Sequence, residues 1–471
     1  MPELAPVVAA GPGTVAVVEL EIQTFWEKLA DGFRGWRYRA NEPLLERVAG
    51  EVRERGQATL LHGVGQPVGG VTADPVDHVP LLRRAVEMFD PAWVSEHLSV
   101  NRVTADGGPE ELGFLFPPRQ SPGGVRVAAA NVRRYGRALG RPVAFETGVS
   151  YLRPDPGEIP EGPFFAAVAE RADCGILLDL HNLWCNEVNG RAAVEDVLTA
   201  LPLERVWEVH LAGGSLLDGY RLDAHDGVVP EPLLELAARV LPRLPALGAL
   251  NFEILAEHVA AVGLDAVATQ LDALRDLWRL LPPAVVTASA TQPPPQWEPD
   301  PADPADLADL ADVRRWEHRL ATNLRTPPSA AGALDPGFAL YGQLVRDFRR
   351  GNLARVLRYT LSALLSSLGR QETYRLLDVY EAQTPPDAYP AVEAHTFAEF
   401  LRSRPQVLAR VPLLGEVLAF EHALVRATVF GESSDLDWSV DPTELLARLE
   451  AGAAPGELVP VHSRMRIESS V

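Results

Sequence analysis

The feature that most constrains this chain is a recurring unit: a short apolar run, a tip bearing His, Asp or Glu, then an amphipathic stretch. Residues 175–189, GILLDLHNLWCNEVN, give the clearest instance. Ile176-Leu177-Leu178 reads as a strand buried on both faces. Asp179, His181 and Asn182 follow at its end. Similar strand candidates fall at 6–10, 15–20, 58–61, 92–95, 142–145, 205–209 and 250–252. Helical periodicity fills 43–55, 79–89, 124–139, 162–171, 192–201, 232–240 and 259–280. Strands alternating with helices imply a parallel sheet with crossovers. Eight strands in roughly 280 residues predict an α/β fold of the (β/α)8 TIM-barrel type. The first unit departs from the pattern, because only four residues separate its two strands. An open doubly wound sheet is the other solution, and its Gly-rich turn is missing. Gly63-Val64-Gly65 with Gly69-Gly70 has the wrong spacing and no ribose-binding acid at the right distance.

A chain of 471 residues exceeds one ordinary core. Residues 1–282 are expected to form the barrel and 283–304, rich in proline, a linker. A separate all-α domain is expected over 305–459 and a loose tail over 460–471. No apolar run is long enough to span a membrane, and the N-terminus lacks a basic n-region, so neither membrane nor secretory signal is expected. The net charge of −21 disfavours nucleic acid, whose phosphates need a basic face. Cys174 and Cys185 make no disulfide framework and suit a reducing cytoplasm. Lys28 is the sole lysine, which argues against Schiff-base and P-loop chemistry.

The strand ends carry the chemistry. His62 follows the third strand (LLHGVG), and Glu96 and His97 the fourth (VSEHL). Glu146 ends the fifth (VAFETG), and Asp179, His181 and Asn182 the sixth. Glu208 and His210 end the seventh (WEVHLAGG), followed by Asp223 and His225, and Glu253 lies on the eighth. Barrel enzymes build their sites at this face from several strands. Imidazoles and carboxylates converging on one mouth are the donor set of Fe, Mn or Zn. Each residue alone has a plainer reading, a hydrogen-bonded core histidine or a surface acid. Their recurrence at one end favours the group reading. Glu96 and Glu208 stand apart, since each neighbours a His expected to point inward. Cys174 precedes its strand and reads as a buried thiol.

Taken in order, LLHGVG, VSEHL, FETG, LLDLHN, EVHLAGG, DAHDG and FEIL resemble the multinuclear non-haem iron-dependent oxidative enzymes, which include the methanobactin-biosynthesis iron oxygenase. The resemblance spans about 15–278. It implies a TIM barrel with two or three irons, O2 as co-substrate, and oxidation of residues, often cysteine, in ribosomally made peptides of natural-product biosynthesis. The implied ligands are His62, His97, Glu146, Asp179, Asn182, His210, Asp223, His225 and Glu253. His62, His97, Glu146, Asp179 and His210 are the implied catalytic set. Residues 359–427, especially LARVPLLGEVLAFEHAL, resemble the helical partner usually encoded beside these oxygenases, here fused in cis to recruit the peptide. The family's Asp-x-Asn-Asn is Asp179-Leu180-His181-Asn182, the acid expected before His225 is Ala224, and its opening Gly-Leu-Arg strand and following His have no counterpart in residues 1–14. A metal-dependent sugar isomerase or phosphodiesterase-like hydrolase uses similar ligands, and a non-catalytic scaffold is the third reading.

Overall fold

The computed structural model describes residues 15–31, 35–66, 68–71, 78–105, 108–282, 304–325, 335–456 and 458–469. Seven strands form one parallel sheet whose spatial order follows the chain. They are Val17–Glu21, Ala58–Gly63, Val94–His97, Val143–Glu146, Gly175–Asp179, Val206–Ala212 and Ala249–Glu253. Helices return between most of them, so the (β/α) architecture is that of a TIM barrel. Asn251 on the last strand donates to a Glu19 carboxylate oxygen on the first at 3.4 Å, so the sheet curls nearly to closure. The strand expected at 6–10 lies outside the described residues.

The strands form where apolar runs can be buried on both faces. Ile176, Leu177 and Leu178 have no exposed surface, and neither do Ala144, Phe145, Val206 and Val209. Gly175 opens its strand against the Trp207 indole, where a Cβ would come within 2.2 Å of a ring carbon. Residues 180–188 form a helix directly after the strand, without a loop. Asp179 makes this possible by capping it: its Oδ1 accepts from the Asn182 amide at 2.7 Å.

The chain clusters into two compact units. The first comprises Met1–Phe25, Asn41–Asp106 and Leu115–Phe338; the second comprises Trp26–Ala40, Gly107–Phe114 and Ala339–Val471. Helix Pro304–Arg325, expected in the helical domain, belongs to the barrel unit. The composition break drew that boundary, whereas packing decides membership. Trp316 donates its indole N–H to the Pro117 carbonyl at 3.0 Å, and Asp312 accepts from Ser121 at 2.8 Å.

The second unit is mainly helical, around a core of Leu364, Tyr380, Phe397, Leu401, Leu418 and Trp438. Among the described residues it also contains two antiparallel strand pairs. Ser434–Val440 pairs with Pro460–Ile467, so the expected loose tail is in part a strand. Its alternation is visible in SDLDWSV, where Leu436, Trp438 and Val440 share one face, but the run is short and acidic. Trp26–Asp31 pairs with Gly35–Ala40, and Tyr38 packs on Tyr389 at 5.6 Å. Lys28, the sole lysine, pairs with Asp387 in this unit.

Candidate metal centre

The parallel register sets the spacing of the site. His97 lies beside Glu146 on the adjacent strand, and Asp179 beside His210. Because alternate residues of a strand share a face, Ser95 and His97 point into the barrel and Glu96 points away. The same rule places Glu208 inside, one layer below His210. There it accepts from the Trp93 indole at 2.9 Å and the Asn251 amide at 2.5 Å.

Potential ligand atoms gather into three linked groups: His62–His97–Glu146, Glu146–Asp179–His210 and Asp179–His225–Glu253. Within each group they lie within 4.8 Å of one another. Glu146 is common to the first and second, Asp179 to the second and third. The His62 and His97 Nε2 atoms are 3.1 Å apart, and Glu146 Oε2 lies 2.9 Å from His97 Nδ1. His210 Nδ1 is 3.1 Å from Glu253 Oε2, which is 3.4 Å from His225 Nε2.

Of the nine residues named from the sequence, seven fall in these groups. Asn182 is buried beside them, donating to Glu146 Oε1 at 3.2 Å and leaving its carbonyl oxygen unpaired. Asp223 stands differently. Its Oδ1 lies 2.8 Å from His225 Nε2 and 3.1 Å from His181 Nδ1, so the two rings share that oxygen. His225 sits at φ 48°, an uncommon left-handed conformation for a non-glycine residue.

The polar accounting fits a metal. Glu146 Oε2, Asp179 Oδ2, Asn182 Oδ1, both His210 ring nitrogens, His225 Nε2 and Glu253 Oε2 are buried without a well-formed hydrogen bond. Buried polar atoms are ordinarily paired, and a cluster that is not invites an ion. The charges agree. Burial, and then the carboxylates of Asp223, Glu146 and Glu253, holds the Asp179 carboxyl well above its usual range. Burial disfavours charge on His62, but its hydrogen bond to Glu146 and the field of Glu19 raise it to about 10. His210 and His225 are also held high against their burial, chiefly by Glu253 and Asp223 respectively. In the metal-free chain protons thus occupy the place of cations.

Three residues at or beside the centre were not singled out from the sequence. Glu19 joins His210 and Glu253 in a further ligand-competent group, 2.9 Å from His210 Nε2. It also accepts from Ser95 at 3.2 Å, and Ser95 lies 2.8 Å from His62 Nδ1. With Ser95 donating to Glu19, His62 donates through Nδ1 and turns Nε2 toward the centre. Glu21 ends the same strand, in register with His62. The signal that exposed the other ligands, an acid at a strand tip, was present in VVELE.

Residues 36–268 match the family of enzymes that modify the precursors of ribosomally synthesised, post-translationally modified peptides, described as MbnB/TglH/ChrH. A UPF0276 protein of Anaeromyxobacter sp. is 33% identical over 209 residues, covering 44% of this chain and 70% of that protein. The chain belongs to this family. A UPF0276 protein of Chromobacterium violaceum is 34% identical over 184 residues, covering 39% of this chain and 65% of the relative, slightly under two thirds. Among solved structures, D-allulose 3-epimerase from Methylomonas sp. aligns with 59% of this chain and 85% of its own, at 13% identity and a TM-score of 0.35. The family match ends before the helices that follow residue 304. Among the described residues no helix is long and apolar enough to cross a membrane.

Proposed function

We propose that this MbnB/TglH/ChrH-family chain is an iron-dependent oxidative enzyme acting on a ribosomally made peptide, with the helical unit recruiting that peptide in cis. The observation that carries the reading is the sharing of Glu146 and Asp179 between successive ligand groups. A carboxylate with two oxygens can serve two ions, so a shared carboxylate suits a row of ions better than one isolated ion. Seven of the named ligands would hold them, with Asn182 as a neutral oxygen donor and Asp223 beside His225. The absence of cysteine from the set and the mixture of imidazole with carboxylate suit iron. When bound, iron supplies the one-electron and O2 chemistry that no side chain provides.

The chain's own residues do the rest. Ser95 and Glu19 fix the ring of His62. Glu19 and Glu253 hold His210 from opposite sides of its ring. The fully buried surroundings of Asp179, His210 and Asn182 exclude bulk water. At the rim, Arg221 lies over the Trp184 ring at 4.4 Å, and the Asp223 amide donates to Tyr151 Oη at 3.1 Å. Fusion of a recruiting unit would raise the local peptide concentration at the centre without adding a contact.

Anaerobic loading with Fe2+ followed by exposure to O2 tests this. The loaded chain should consume O2, and Glu146→Ala should not. A chain that holds only Zn2+ or Mn2+ and is inert to O2 would move the case to an isomerase or hydrolase. A chain that holds no metal would favour the scaffold.

A further inference from the structure

A second gathering of ligand atoms lies in the helical unit and shares no residue with the barrel centre. His395 and Glu399 are four residues apart on helix Pro390–Arg402 and therefore share a face. His422 comes from helix Leu414–Val429. His395 Nδ1 and His422 Nε2 face each other at 2.8 Å, and Glu399 Oε1 is 3.8 Å from the same His422 nitrogen. The three candidate ligand atoms all lie within 4.8 Å of one another.

We propose that His395, Glu399 and His422 form a separate metal site for a borderline, imidazole-preferring divalent cation of the Zn2+ class. Two imidazoles and one carboxylate are a donor set that such ions accept, with a fourth position left for water. Cis nitrogens on one tetrahedral ion sit roughly 3.3 Å apart, so the rings need to part by only about half an ångström. His422 has no exposed surface, whereas the Glu399 side chain is 52% exposed, so one wall of the site is fixed and the other opens to solvent. Burial, followed by Arg402, lowers His422 to about 3, and burial lowers His395 as well. Both rings are therefore neutral at pH 7, the form that binds metal.

The surroundings are balanced rather than acidic. Arg402 pairs with Glu399 at 3.0 Å, and Arg426 pairs with Glu432. Binding would thus depend on imidazole lone pairs more than on net charge, which disfavours Mg2+ and Ca2+. His422 Nδ1 is buried with no hydrogen-bond partner. The ring's polar contacts therefore run through Nε2, the atom aimed at the other two ligands.

The test is a Zn2+ titration of the full chain after chelator treatment, followed by calorimetry and elemental analysis. His395→Gln and Glu399→Gln should each bind one equivalent fewer than the unaltered chain. A chain carrying His97→Ala and Glu146→Ala in the barrel should keep that equivalent. In 15N spectra, the His395 Nδ1 and His422 Nε2 resonances should shift together on Zn2+ addition. Equal Zn2+ stoichiometry in the unaltered chain and in Glu399→Gln, whose half-exposed position keeps folding out of the question, would overturn the proposal. Unmoved imidazole resonances at saturating Zn2+ would overturn it equally.

Discussion

Raising the pH from 7 to 8 should tighten metal binding at His62, His97 and Glu146 about tenfold or more. Burial opposes charge on His62, but Glu146 and Glu19 together raise it to about 10, from an ordinary value of 6.5. At pH 7 the nitrogen that would hold metal carries a proton. Displacing that proton costs about 4 kcal/mol, or roughly a thousandfold in affinity, and each further pH unit returns about 1.4 kcal/mol. His210 and His225 are held high too, so the dependence should be steeper than one proton alone would give. The raised His62 value stabilises the metal-free chain fully below about pH 6.5, and that contribution is lost as the pH rises through about 10. The metal-loaded chain lacks this proton, so the stability gap between loaded and metal-free protein widens with pH. Zn2+ titrations between pH 6.5 and 8.5, in buffers of different ionisation enthalpy, count the protons released. Affinity independent of pH, with no proton release, would refute the reasoning.

Glu146→Ala should lose more metal than His225→Ala, because Glu146 serves two ligand groups and His225 one, with far-UV circular dichroism unchanged in both. Glu19→Gln should weaken binding roughly 10- to 100-fold by freeing His62 and His210, as competition with a chelator would measure. Asp179→Asn keeps the helix cap but removes an acid that burial and three carboxylates disfavour. Its Asp179 contribution falls as the pH rises above about 3.8, so the Asn variant should raise the melting temperature of the metal-free chain at pH 7 while lowering its metal content. Trp438→Ala, which empties a fully buried place in the helical unit, should cost about 3–5 kcal/mol in urea unfolding and leave barrel metal content unchanged.

The barrel was legible because its central strands are buried on both faces and read as short apolar runs, as at Ile176–Leu178. All seven described strands of the sheet overlap runs named from the sequence. The antiparallel strands of the second unit were harder to see. Those at Trp26–Asp31 and Ser434–Val440 are short, with polar residues between the apolar ones. The helix at Leu180–Val188 was hidden because Asp179 serves as strand end, cap and candidate ligand at once. The strand-tip rule found most of the acids and histidines at strand ends, but not Glu21 at the tip of the first strand. It passed over Glu19, which points inward two residues before its strand ends, and Ser95, whose role is visible only once His62 and Glu19 are in place. His181 shows the converse: it departs from the family's Asn, and the structure puts it against Asp223.

The most direct test of the central claim is metal content after anaerobic purification from iron-supplemented cells, with Mössbauer spectra on the same sample. Two or three irons per chain, at least two of them magnetically coupled through shared carboxylates, are expected. A single uncoupled ion, or none, would contradict the account.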